Sequence, residues 1–138
     1  RILLSTGDPL QKADMLNACR LLVDNGYELY ATGGTYKYLV ENSVPATKVL
    51  WPSECENPNF KGRFKPALDM IQNKEVDMVI NIPKNFSELE LSNGYQIRRA
   101  AIDFNVTLFT NARLATAFIR AFCSTSINDI QIKSWDQY

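Results

Sequence analysis

Thr32, Gly33, Gly34 and Thr35 stand where an apolar strand pattern, Tyr27 to Ala31, gives way to a helical pattern beginning at about Tyr36. A small-residue turn of this kind can cradle an anion. The glycines let backbone N–H groups approach a ligand, the amino end of the helix adds partial positive charge, and each threonine offers a hydroxyl. A phosphate or a carboxylate fits that chemistry. Glycine turns between strand and helix also arise for conformational reasons alone, so these four residues take their meaning from what surrounds them.

Acid–base and nucleophilic catalysis have little to work with in this chain. It contains no histidine, which removes Ser-His-Asp and Cys-His arrangements and histidine-held metals. Asp8, Glu54 and Glu56 sit in loop sequence and read as solvated acids. Neutral donors and cations are more abundant near the ends of the apolar runs: Ser5, Thr32, Thr35, Asn81, Lys84, Asn85, Asn93 and the pair Arg98-Arg99. Such groups bind anions without transforming them. Adjacent helical positions point about 100° apart, so at most one of the two arginines faces a common site. Trp51, between an apolar run and Pro52, serves equally as a cover for the core or as a flat apolar wall for a ligand.

The elements that must position these groups alternate along the chain. Apolar runs at Ile2–Leu4, Tyr27–Ala31, Thr47–Leu50, Met78–Ile82 and Thr107–Phe109 are interleaved with helical patterns at about Leu10–Asp24, Tyr36–Glu41, Phe64–Gln72, Tyr95–Asp103 and Ala112–Phe122. The order βαβαβαβαβα predicts an α/β fold, with a mostly parallel five-stranded sheet between helical layers and Ile130–Ile132 as a further edge strand. Ligands of open parallel sheets bind beyond the carboxyl ends of the strands, where the polar clusters at Ser5-Thr6, Thr32–Thr35, Trp51–Ser53, Asn81–Asn85 and Thr110-Asn111 converge. In the last helix Leu114, Phe118 and Phe122 form one apolar stripe, with Asn111 as its cap. The longest irregular segment runs from Pro52 to Arg63, and loops of that length are often functional.

Composition sets the class. At 138 residues, 46% hydrophobic and 22% charged, the chain fits one globular domain with a proper core. Fifteen basic and fifteen acidic residues cancel, leaving no field to draw in nucleic acid or an anionic membrane. Cys19, Cys55 and Cys123 are odd in number and widely spaced, which fits neither a disulfide framework nor a zinc site; Cys19 and Cys123 read as core packing. Because the sequence opens at Arg1 directly on a strand, it reads as a piece of a longer protein.

In order along the chain, Arg1-Ile-Leu-Leu-Ser5, Ala31-Thr-Gly-Gly-Thr35, Val49-Leu-Trp-Pro-Ser53, Asp77-Met-Val-Ile-Asn-Ile-Pro83, Tyr95-Gln-Ile-Arg-Arg99 and Leu108-Phe-Thr-Asn111 resemble the methylglyoxal-synthase-like domain. The closest likeness is to the carboxyl-terminal allosteric domain of carbamoyl-phosphate synthetase large chains. The resemblance implies a five-stranded, mostly parallel sheet with an anion site at the strand ends. It further implies a regulatory role with no catalysis and no cofactor of its own. The expected partners are a small anionic effector, the remaining synthetase domains and a glutaminase subunit, with room for a homo-oligomer and none for nucleic acid or membrane. The expected compartment is the cytoplasm, with the mitochondrial matrix left open.

Carried over by position, Thr32, Thr35, Trp51, Asn81 and Asn93 would line the effector site, with Ser5 and Lys12 near a phosphate; Gly33 and Gly34 of the turn and the cations Lys84 and Arg98, read from the residues themselves, complete the candidate set. Nucleotide-regulated relatives resemble one another in having a lysine at the Trp51 position, whereas N-acetylglutamate-regulated ones have tryptophan. An indole there favours an N-acetylglutamate-like effector, while Lys84 could restore a cation for a nucleotide phosphate. A lyase acting on dihydroxyacetone phosphate is the alternative. It would need aspartates and a histidine, and here the position after the fourth strand reads Asn-Ile-Pro-Lys-Asn. A purine-pathway cyclohydrolase domain and an assembly module with a vestigial rim are more distant readings.

Overall fold

A computed structural model describes residues 1–7, 9–83, 88–125 and 134, with Pro9, Gln11, Glu88, Glu90 and Leu91 described by their backbone alone. Strand β1 (Ile2–Thr6) leads into α1 (Pro9–Asp24), followed by β2 (Leu29–Thr32), α2 (Gly33–Glu41), β3 (Thr47–Leu50) and a 3₁₀ turn at Pro52–Glu54. Then come β4 (Lys65–Pro66), α3 (Ala67–Gln72), β5 (Met78–Ile82), α4 (Glu88–Asp103), β6 (Thr107–Phe109) and α5 (Ala112–Ser124). The strands are parallel throughout and lie in the order β4-β3-β2-β1-β5-β6.

Alternation along each strand sorts the core onto the two faces of the sheet. Ile2 and Leu4 of β1 and Met78, Ile80 and Ile82 of β5 pack with Met15, Ala18, Cys19 and Leu22 of α1, Leu39 of α2 and Ala112, Ala115 and Ile119 of α5. Leu3 and Val79 point the other way and pack with Met70 and Ile71 of α3 and Ile97, Ala100 and Ala101 of α4. Three layers result, as the alternating sequence pattern predicts. Among the described residues no helix is long and apolar enough to cross a membrane.

Four local expectations are corrected. The sheet has six strands, because Lys65–Pro66 forms β4 where a helix was expected from Phe64. A residue before proline is driven out of the α region, and with proline locked near its own φ the pair pairs with Val49 and Leu50 before the helix starts at Ala67. Helix α2 begins at Gly33, so both glycines belong to its first turn. Helix α4 begins at Glu88, well before Tyr95. Gly94 lies within it, and a Cβ at this position would meet Arg98 Nη1 at 2.7 Å and Asn81 Oδ1 at 3.4 Å. The helix tolerates a glycine because these two side chains crowd it.

The stripe of Leu114, Phe118 and Phe122 is not the buried face of α5: the three are 60%, 38% and 46% exposed, whereas the small Ala112 and Ala115, with Ile119, lie against the sheet. Phe118 and Phe122 instead join a surface aromatic row with Phe109 and Tyr27. Asn111 does cap α5, its Oδ1 accepting from Leu114 N–H at 3.0 Å. The segment expected as a last strand, Ile130–Ile132, lies outside the described residues.

Candidate functional site

The chain runs outward from β1 through β2 and β3 to β4, then returns to the far side of β1 as β5. Between β1 and β5 the direction of winding reverses, and open α/β sheets bind ligands at such a switch point, beyond the carboxyl ends of the strands. Ser5 of β1 sits in register with Asn81 of β5 at this end. Around them lie the buried polar residues Ser5, Thr6, Thr32, Thr35, Asn81 and Asn93, each at most 5% exposed. A buried polar set needs partners, and those partners show which side chains build the rim and which face into it.

Thr35 is a clasp. The β1–β2 ladder stops at Leu4↔Ala31, since β2 turns into α2. Beyond it, the Thr6 N–H donates to Thr35 Oγ1 at 3.0 Å and Thr35 Oγ1 donates to the Thr6 carbonyl at 2.9 Å. One hydroxyl thus stands in for the missing strand. Thr32 spends its hydroxyl similarly, on Ser5 Oγ at 3.1 Å.

That second bond has a consequence for α2. Thr32 is its N-cap, in extended conformation, yet makes no side-chain cap bond. The first turn of a helix presents backbone N–H groups without intrahelical partners, and in α2 this turn is Gly33-Gly34-Thr35. Neither Gly33 nor Gly34 has a positive φ, so conformation does not demand glycine. The glycines instead mark where neighbours approach: a Cβ on Gly34 would stand 3.1 Å from the flexible end of Lys12, Nζ, and one on Gly33 would make ordinary contacts at 3.9 Å with Trp51 Nε1 and Glu54 Oε1.

The opposite wall comes from α4 and the turn after β3. Asn93 Oδ1 accepts from the Ser53 N–H at 3.1 Å, and its Nδ2 donates to Ser53 Oγ at 3.0 Å, fixing the Trp51–Ser53 turn against α4. Arg98 Nη1 donates to Asn81 Oδ1 at 2.6 Å. Arg99 points away and pairs with Asp103, so one arginine of the two belongs to the rim. Trp51 is half-buried against the α3–α4 face. The structure therefore brings Ser5, Lys12, Thr32, Gly33, Gly34, Thr35, Trp51, Asn81, Asn93 and Arg98 to one end of the sheet; Lys84 and Asn85 lie outside the described residues.

Glu54 is the residue that sequence reasoning missed. It had read as a solvated loop acid, yet it is half-buried with its carboxylate above Gly33. Burial raises its carboxyl pKa above the usual range, with the Lys48 charge pulling the other way. The available signal was its place three residues after Trp51, because side chains at i and i+3 eclipse in a 3₁₀ turn. Glu56 behaves as expected, exposed and paired with Lys61 at 3.5 Å.

A separate concavity of about 640 Å³ lies outside β3 and β4, lined in part by Lys61, Arg63, Lys65, Glu56 and Asp69. Two of its lysines are matched within the chain, Lys65 to Glu75 at 2.9 Å and Lys61 to Glu56 at 3.5 Å. Among the described residues no group of three histidine, cysteine or acidic side chains could hold a metal.

Residues 14–110 match the MGS-like domain family. The chain is similar to the carbamoyl phosphate synthase large chain, C-terminal section, of Aquifex aeolicus, with 42% identity over 99 residues, 72% of this chain and 17% of that protein. It is also similar to the multifunctional protein ura1 of Schizosaccharomyces pombe, 36% identical over 88% of this chain and 5% of that protein. The mitochondrial carbamoyl-phosphate synthase (ammonia) of Homo sapiens is 37% identical over 77% of this chain and 7% of that protein. The chain thus spans between 5% and 17% of the length of these relatives. The sheet order, the strand-end rim and these matches agree: the chain belongs to the MGS-like domain family.

Proposed function

We propose that this chain is the regulatory, effector-binding part of a carbamoyl-phosphate synthase, and that its ligand is a small anion held between the first turn of α2, Lys12 and Trp51. The observation that carries the reading is the amino end of α2. Its N-cap Thr32 makes no side-chain cap bond, neither glycine of its first turn has a positive φ, and an ammonium stands over the second. Helix dipole, backbone N–H groups and a cation then act on one point.

Trp51 sets the ligand class. An indole supplies apolar area where a phosphate would want a cation, so an N-acetylglutamate-like molecule fits better than a nucleotide monophosphate. Regulation follows from differential binding: a ligand that bridges α2, the Trp51 turn and α4 favours the state in which the three are apposed, and the parent enzyme's population shifts accordingly. The domain performs no chemistry in this reading.

The test is thermal unfolding of the chain with N-acetylglutamate, UMP, IMP and ornithine, since a ligand at 100 times its Kd adds about 2.7 kcal/mol of stability. Stabilisation by N-acetylglutamate alone is the expected result. Stabilisation by a nucleotide alone would contradict the role given to Trp51, and no shift with any ligand would contradict the effector site.

A further inference from the structure

An anion site does not ordinarily place a carboxylate over its own glycine cradle, and this one does. Glu54 Oε1 stands above Gly33 and Lys12 Nζ above Gly34, on consecutive residues whose Cα atoms are about 3.8 Å apart. Among the described residues the Glu54 carboxylate has neither an ion-pair nor a hydrogen-bond partner, and Lys12 does not pair with it. Trp51 Nε1 occupies the same neighbourhood as Glu54 Oε1, each 3.9 Å from the point where a Gly33 Cβ would be. The rim is therefore divided, with the ammonium on the Lys12 side and, on the Trp51 side, a carboxylate acceptor beside the indole N–H, the Lys48 charge acting on it without an ion-pair contact.

Resting on the anion-effector reading above, we propose that Glu54 is a specificity residue which reads a hydrogen-bond donor on the effector. The ligand class is then an anion bearing an N–H close to its charged carbon, as in an acylated amino acid, and not a plain polyanion. A carboxylate facing N–H forms a charge-assisted bond. The same carboxylate facing an ester oxygen or a second carboxylate has acceptor against acceptor, and is left desolvated without a partner. This is discrimination by repulsion as much as by attraction.

The experiment is calorimetric titration of the chain and of Glu54→Gln with N-acetylglutamate, with 2-acetoxyglutarate, which replaces only the N–H by oxygen, and with glutarate. The unsubstituted chain should prefer N-acetylglutamate over its ester analogue by about tenfold or more. Glu54→Gln removes the charge at constant shape in a half-buried loop. It should narrow that ratio severalfold and tighten glutarate. N-acetylglutamate binding with an amide-to-ester ratio near unity, or a ratio that Glu54→Gln leaves unchanged, would overturn the role of Glu54 while leaving the anion site standing. Absence of binding by all three ligands to the unsubstituted chain would overturn both.

Discussion

Replacing Thr35 by valine tests how this end of the sheet is held. The two side chains have nearly the same shape, so the substitution removes a hydroxyl and little else. In the native fold that hydroxyl accepts from the Thr6 N–H at 3.0 Å and donates to the Thr6 carbonyl at 2.9 Å, with Thr35 only 4% exposed. Valine leaves both Thr6 groups buried without these partners. An unsatisfied buried donor or acceptor costs about 1–3 kcal/mol, and the carbonyl with its second lone pair falls at the low end, so a total of about 2–4 kcal/mol is expected. Unfolding entropy of about 2.1 cal/mol/K per residue over 138 residues gives roughly 0.3 kcal/mol/K, and hence a fall in Tm of about 7–14 °C. Circular dichroism melts without ligand read this directly, and Thr35→Ser, which keeps the oxygen, should recover most of the loss. A valine variant melting within about 2 °C of the parent would refute the clasp and return the Thr35 hydroxyl to the ligand.

Asn111→Ala removes the one side-chain bond at the start of α5, from Leu114 N–H to Asn111 Oδ1, and should cost about 1 kcal/mol, a drop of about 3 °C in the same melts. Cys19 is 1% exposed, and burial pushes its thiol pKa up to about 12 from 9.0. Its folded pKa exceeds the unfolded one, so the stability it contributes is complete below about pH 9 and is lost as pH rises toward 12; Cys19→Ala should flatten the alkaline limb of a Tm-versus-pH profile. A neutral thiol reagent should label the half-buried Cys55 and Cys123 in the native chain well before Cys19, which peptide mapping by mass spectrometry would check.

Particular residues show where sequence reading succeeds and where it stops. The runs at Ile2–Leu4 and Met78–Ile82 could be identified as strands covered on both sides because the first is wholly apolar and the second carries a single polar residue, Asn81, and in the structure both are buried throughout. Asn111 could be recognised as a cap because capping is local. Helices α2 and α4 begin earlier than the patterns from about Tyr36 and Tyr95 predict, since glycine is a poor helix former and the neighbours of Gly33, Gly34 and Gly94 include groups far off in sequence, Trp51 and Glu54, Lys12, and Asn81 respectively. The α5 stripe misled in the same way. Its aromatics are periodic, but small residues let the helix sit close to the sheet and the larger ones were left at the surface. Glu54 illustrates the limit at the site itself, because composition marks it as a loop acid and only the 3₁₀ turn at Pro52–Glu54 swings it over α2.

The central claim is that an anion binds at the first turn of α2. Gly34→Val tests it most directly, because Gly34 is exposed, its φ is not positive and the added branch fills the space between the backbone N–H groups and Lys12. Titration calorimetry with N-acetylglutamate should show binding to the parent chain and a loss of at least about tenfold in affinity for Gly34→Val, with Tm in the absence of ligand nearly unchanged. Equal affinity in the two chains would contradict the account.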